Sequence, residues 1–340
     1  MEIILLGVIV MSFVVTLLLT PVWIKRVKKA GLVGKDMNKY EGKDVAEAGG
    51  VSFIAGLLMG ILSYIAIKTF YFKDSSNLIE IISLISVILI ICIVGFIDDV
   101  LGWKIGLRQR EKPILCLIAA IPLMVINAGD STMGIPFIGV INFGIFYSLV
   151  LIPLGITIAA NSFNLLAGYN GLETGQGIII LSTLAFVFRF TGQNWLLIID
   201  LCAIAALLAF LIYNKYPAKI FPGDILTYSV GAFIAGIAIL GNVERITILL
   251  FIPYLIEFIL KASGKLKKES FAKPNKDNSL DLKYKRIYGL EHLAIVILKR
   301  IKPSKKVYEK EVVYLIWFGQ IILGAILIVL FRYFGLLAMK

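Results

Sequence analysis

The chain has 340 residues, 59% of them hydrophobic, with a formal net charge of +12. One soluble core does not need that much apolar surface, and the apolar residues fall in long continuous runs bounded by charge, Gly, Pro or Asn, so the fold class is an all-α polytopic integral membrane protein; runs without alternation exclude a barrel. A single histidine, His292, excludes four-ligand zinc chemistry, and the Lys and Arg excess reports topology and anionic lipid rather than nucleic acid.

Ten spans are predicted: 2–24, 51–69, 79–97, 113–128, 144–162, 175–190, 195–213, 225–241, 246–264 and 313–335. The first has no basic segment before it and no small-residue cleavage site. Its cations, Lys25, Arg26, Lys28 and Lys29, follow it, which reads as a retained span with the N-terminus outside. Of the 34 Lys and Arg, 28 fall in the odd loops and 4 in the even ones. The positive-inside rule therefore makes the odd loops cytoplasmic and puts both termini outside. Cys92, Cys116 and Cys202 lie inside predicted spans and read as small buried apolar residues, not as a disulfide or metal set.

The cytoplasmic loops carry the chemistry-bearing residues. The first contains Asp36-Met37-Asn38-Lys39 and then Ala46-Glu47-Ala48-Gly49-Gly50. The third opens with Asp98-Asp99, directly after an apolar run. At the carbonyl end of a helix two adjacent carboxylates repel each other and the dipole, which is tolerable where a cation visits. The plain alternative is a cap for the next helix or a solvated pair. Lys112 precedes Pro113 at the start of a span and either snorkels to headgroups or meets a phosphate.

The fifth loop contains no Lys or Arg and runs Asn161-Ser162-Phe163-Asn164-Leu165-Leu166-Ala167-Gly168-Tyr169-Asn170-Gly171-Leu172-Glu173. Neutral amides and glycines suit a nucleobase, a sugar or a metal, whereas a turn at Asn170-Gly171 and a helix cap at Asn164 would need only some of them. The seventh loop carries Phe221-Pro222-Gly223-Asp224, where Asp224 is a helix N-cap or an Mg2+ ligand beside a helix N-terminus. Glu257, inside the ninth span, is expected to pair with Lys261 one turn on and to support the site without touching substrate. The ninth loop, Lys261 to Lys310, contains a short apolar piece, Leu290 to Leu298, expected as an interfacial helix, with His292 at the interface. Paired acids, an oxygen-bound metal, a lysine and neutral amides on one face match phosphoryl transfer from a soluble donor, with a lipid acceptor that the spans could hold.

In Phe96-Ile97-Asp98-Asp99, in the fifth-loop stretch and in Phe221-Pro222-Gly223-Asp224, the chain resembles the polyprenyl-phosphate N-acetylhexosamine-1-phosphate transferases over nearly its whole length. It is most similar to the archaeal and eukaryotic dolichyl-phosphate GlcNAc-1-phosphate branch. The resemblance implies one ten-span domain over 1–340, with residues 261–312 as a sugar-selecting cytoplasmic insert. It implies Mg2+, with Mn2+ as a substitute, and an archaeal cell membrane with the active site facing the cytoplasm. The implied partners are a UDP-sugar, a polyprenyl or dolichyl phosphate and membrane lipids, with a homodimer as the candidate assembly. The implied roles are Asn164 and Asp224 on the metal, Asp98 and Asp99 as the acidic pair, and Lys112 on the phosphates. Asn170 is expected on the uridine side, with Asn161 and Glu173 on the nucleotide. Asp36, Asn38, Lys39 and Glu47 would border the lipid phosphate, and Lys273, Asn275, Lys276 and Asp277 the sugar. Two departures stand out: Gly102 lies where many members carry another acid or amide, and a lone His292 replaces the histidine cluster of the peptidoglycan-precursor branch. The alternatives are a bacterial-type undecaprenyl-phosphate transferase for wall or O-antigen polymers, and a lipid flippase or transporter. Against the latter, charge clusters in loops on one face and no broken-helix pair is expected.

Overall fold

The computed structural model describes residues 3–108, 110–135 and 139–334. Residues 2 and 335, the outer limits expected for the first and last spans, lie outside them. In chain order the helices are α1 (Ile3–Lys29), α2 (Gly50–Ala66, continued by a π turn Ile67–Tyr71), α3 (Leu78–Ile105), α4 (Glu111–Ala119), α5 (Ile121–Val125), α6 (Ile152–Leu165, entered through a π turn Tyr147–Leu151), α7 (Leu172–Thr191), α8 (Asn194–Asn214), α9 (Gly223–Leu240), α10 (Glu244–Leu250), α11 (Ile252–Ser263), α12 (Leu290–Ile301) and α13 (Glu309–Phe334). The strands among the described residues form antiparallel hairpins in loops: β1 (Val33–Lys35) with β2 (Asp44–Ala46), β3 (Thr132–Ile135) with β4 (Gly139–Asn142), and β5 (Lys273–Pro274) with β6 (Leu280–Asp281).

Among the described residues, eight helices are long and apolar enough to cross a membrane, and α10 with α11, bent by 49°, makes a ninth if taken as one span. Where the fourth span is expected, α4 and α5 together run from Glu111 to Val125 with a break at Ala120. Even with Ala120 included, fifteen residues at the helical rise reach about 22 Å, short of the ~30 Å hydrocarbon core. Both breaks fall beside a proline, Pro122 in α5 and Pro253 in α11. Proline removes an amide donor and clashes with the preceding turn. The expectation of no broken helix is therefore corrected.

α3 also departs from the sequence reading. It continues past Ile97, through Asp98 and Asp99, and is interrupted only at Gly102 (φ 68°, ψ 173°). The acidic pair thus occupies the last turn before this break, at a helical carbonyl end as the sequence implies, with the helix running a turn beyond Ile97. Gly102 occupies a left-handed backbone position, which a residue with a Cβ adopts only with strain.

α9 is the central helix. Every side chain from Ile225 to Ile239 is buried, and α9 packs against α3, α6 and α2. Two glycines permit the closest approaches. A Cβ at Gly95 of α3 would lie 2.6 Å from the Ile225 amide nitrogen, and one at Gly231 of α9 would lie 2.5 Å from the Ala159 carbonyl of α6. α7 and α8 pack on each other, α8 on α1 and α7 on α13, closing the bundle around α9. Gly95→Val is expected to force α3 away from the start of α9 and to destabilise the protein by about 1–3 kcal/mol, read as a lower melting temperature in detergent.

Candidate active site

The turn Phe221-Pro222-Gly223-Asp224 starts α9. Gly223 has φ 69°, and a Cβ there would collide with the Asp99 carboxylate, so this position takes glycine. The first amides of any helix lack intrahelical partners. Here Asp99, from α3, accepts the Asp224 amide at 2.7 Å and the Ile225 amide at 3.3 Å. The cap is therefore supplied by Asp99, and the Asp224 side chain does not act as one. The first loop holds the turn from the other side. The Phe221 amide donates to the Ala46 carbonyl, and the amides of Gly49 and Gly50 donate to the carbonyls of Phe221 and Pro222.

Released from capping, Asp224 faces Lys112 at the start of α4. The Lys112 ammonium lies 2.6 Å from Asp224 Oδ2 and 2.7 Å from Asp98 Oδ2. It also sits 5.7 Å from the centre of the Tyr228 ring. Asp98 Oδ1 accepts the Leu107 amide at 2.7 Å, which ties the segment after the Gly102 kink back to α3. One turn into α9, the Thr227 hydroxyl donates to Asn164 Oδ1 at 2.8 Å. Asn161, on the same face of α6 as Asn164, donates to the Thr157 carbonyl and accepts from the Tyr228 hydroxyl at 3.5 Å.

Asp98 and Asp224 converge on the Lys112 ammonium, so the two carboxylates are placed to share one cation, and Asn164 joins the same turn of α9 through Thr227. Such a set of oxygen donors fits Mg2+, which commonly takes one or two carboxylates and completes its shell with phosphates and water. No cluster of three or more His, Cys, Asp and Glu able to hold a metal occurs among the described residues.

A second group of predicted residues is drawn together by hydrogen bonds between loops. Asn170 donates through its side chain to Asp36 at 3.0 Å and through its amide to Glu309 at 2.8 Å. Asn38 donates to the Gly168 carbonyl at 3.0 Å and accepts the Ala272 amide at 3.1 Å. Lys39 pairs with Glu309 and with Asp36, the latter at 3.3 Å, and lies 4.3 Å from the Tyr216 ring centre. Glu173 is buried and accepts the Gly168 amide at 2.7 Å. These side chains join the first, fifth and ninth loops and the start of α13. Glu47, in the same first loop, is half-buried against Gly34, and burial raises its carboxyl above the usual range.

In the ninth loop, Asn275 closes the β5–β6 hairpin by donating to Ser279 at 3.1 Å and Asp281 at 2.9 Å. Asp277 pairs with Lys306 at 2.6 Å, and Lys306 and Ser279 hold its carboxyl below the usual range. Lys273 and Lys276 are exposed. His292 is wholly buried, not interfacial. It accepts the Tyr288 amide at Nδ1, 3.3 Å away, and burial lowers its pKa.

Glu309, Thr227 and Tyr228 were not singled out from the sequence. Thr227 stands three residues after Asp224 and Tyr228 four, so helical spacing alone could have found them. Glu309 carries no such signal among the acids of a basic loop. The division between Asp98 and Asp99 is testable. Asp99→Ala is expected to lower stability by about 1–2 kcal/mol through loss of the cap, seen in a thermal melt in detergent. Asp98→Ala is expected to melt closer to wild type.

A family model described as glycosyl transferase family 4 matches residues 81–242, the stretch that carries Asp98, Asp99, Lys112, Asn164 and Asp224. A Saccharolobus solfataricus protein that carries the name UDP-N-acetylglucosamine–dolichyl-phosphate N-acetylglucosaminephosphotransferase is 39% identical over 95% of each chain. The Dictyostelium discoideum protein of that name is 30% identical over 68% of this chain and 65% of its own. A phospho-N-acetylmuramoyl-pentapeptide-transferase of Halalkalibacterium halodurans is 31% identical over 76% of this chain and 81% of its own. With the bundle, the acidic pair and the lysine between two carboxylates, these likenesses mean that the chain belongs to the polyprenyl-phosphate N-acetylhexosamine-1-phosphate transferases of glycosyl transferase family 4.

Proposed function

We propose that this protein transfers N-acetylglucosamine-1-phosphate from UDP-N-acetylglucosamine to dolichyl phosphate, releasing UMP, as the first membrane step toward a lipid-linked oligosaccharide for N-glycosylation. The observation that carries this reading is Lys112, held between Asp98 and Asp224 at the mouth of α9. A lysine so placed can leave one carboxylate and meet an incoming phosphate. The relatives' names over nearly the full chain length supply the donor and acceptor.

In this reading an oxygen of the lipid phosphate attacks the β-phosphorus of the UDP-sugar. A new P–O bond forms, the bond to the bridging α,β-oxygen breaks, and UMP leaves. A phosphomonoester has a second pKa of about 6 and is largely dianionic near neutral pH, so the attack needs little help from a base. Lys112 neutralises charge on the phosphates, Asp98 orients Lys112, and Asp99 holds the turn that aims Asp224. Mg2+, or Mn2+ in its place, held by Asp224 and Asn164, would neutralise the pyrophosphate. We further infer that α10 with α11, and α4 with α5 lengthened by the non-helical residues at its ends, complete ten crossings, with both termini outside and the site at the cytoplasmic face of an archaeal cell membrane. The lysine and arginine asymmetry of the loops supports that orientation.

The purified protein in detergent is expected to release UMP from UDP-N-acetylglucosamine only when dolichyl phosphate and Mg2+ are both present, with the lipid product identified by mass. Release without the lipid would overturn the reading. Asp224→Ala and Asn164→Ala are each expected to cut transfer by about 10²–10³, and wild-type rates would remove them from the metal. A single cysteine introduced between Lys283 and Arg286 is expected to resist a membrane-impermeant maleimide in intact cells, while one in β4 reacts.

A further inference from the structure

We propose that the buried Glu257–Lys261 pair is a positioning clamp that sets the end of α6, and with it Asn164, against the start of α12 in the ninth loop. The inference rests on the proposed role of Asn164 at the phosphate site.

α6 ends at Leu165, where Leu166 turns out of the helix (φ −91°, ψ 77°). The last carbonyls of a helix lack partners and carry partial negative charge. Lys261, from α11, donates to the Leu165 carbonyl, one residue beyond Asn164. Its side chain is only 14% exposed, so the ammonium is aimed at α6 and not at headgroups. One turn back on α11, the fully buried Glu257 places Oε1 3.2 Å from that ammonium. Its Oε2 accepts the amide of Leu290, the first residue of α12, at 2.6 Å. The pair thus grips two backbone points from elements that are distant in the chain.

Glu291 completes the arrangement. It is wholly buried, and neither carboxyl oxygen has a hydrogen-bond partner among the described residues. The Gly289 backbone passes close to both acids. A Cβ there would lie 2.7 Å from Glu291 Oε2 and 3.2 Å from Glu257 Oε1. Burial and then the Glu257 charge push the Glu291 carboxyl well above its usual range. The Lys261 ammonium is left to Glu257, the carboxylate placed against it. Well-packed apolar residues commonly replace a buried ion pair at no cost in stability. What an apolar replacement could not supply is a donor for the Leu165 carbonyl and an acceptor for the Leu290 amide at one fixed separation.

The test uses the full chain in detergent with UDP-N-acetylglucosamine, dolichyl phosphate and a Mg2+ titration. Lys261→Met is expected to lower kcat by about tenfold to hundredfold, the scale of a small misplacement of a catalytic group. It should raise the Mg2+ needed for half-maximal rate and leave the KM for the UDP-sugar nearly unchanged. Lys261→Arg, which can still bond both partners, is expected to recover most of the rate. Hydrogen exchange in Lys261→Met is expected to speed up at the amides around 163–170 and 290–293. Wild-type kcat with wild-type exchange in Lys261→Met overturns the clamp, as does an equal loss in Lys261→Met and Lys261→Arg. If Lys261→Met does not fold, Glu257→Gln carries the same expectation, because its amide oxygen still accepts from Leu290 while the ammonium is released. Asn164→Ala in the same titration separates the two readings: a wild-type profile there removes Asn164 from the metal, while the exchange result still decides the clamp.

Discussion

The carboxylate of Asp99 on the first amides of α9 is the interaction from which the site follows. A helix needs its N-terminal donors satisfied, and α9 begins packed against α3 and α2. Asp99 meets that need from α3, at the Asp224 and Ile225 amides. The bond holds α3 and α9 at a fixed offset, which the small Gly95 allows. It also frees Asp224 to share Lys112 with Asp98. Two adjacent acids in one helix point different ways because successive residues lie about 100° apart around the axis, and so one becomes structural and the other faces the cation.

Around this centre, buried polar side chains join loops that are distant in sequence. Asn38 bonds the fifth and ninth loops at once, and Asn170 bonds the first loop and the start of α13. A buried amide left unpaired costs about 1–3 kcal/mol, so each of these residues favours one mutual arrangement of the loops. The asparagines suggest two kinds of work for one residue type. Asn164 and Asn161 stand on α6 beside Asp224, whereas Asn38 and Asn170 keep the neighbouring loops in register.

The breaks in the helices have a common local cause and different surroundings. Pro122 and Pro253 each prevent a continuous amide ladder. In α10–α11 the result is a 49° bend that carries Glu257 and Lys261 toward α6 and α12. In α4–α5 the result is a short pair whose first turn holds Lys112. Irregular backbone at membrane depth is tolerated where protein surrounds it.

The membrane class, most of the helices and the residues of the cation cluster were legible in the sequence, because hydrophobic length, loop charge and motif order are local properties. Asp98, Lys112, Asn164 and Asp224 could be named before any fold was known, and so could the Glu257–Lys261 pair from its one-turn spacing. Only the tertiary structure decided that α3 runs on through the acidic pair, that Asp99 caps a helix 125 residues away, that His292 is buried, and that Glu309 anchors Lys39 and Asn170. Each of those facts depends on which partner sits opposite a side chain. A hydrogen bond between segments far apart in the chain leaves no period, run or spacing along the sequence from which it could be read.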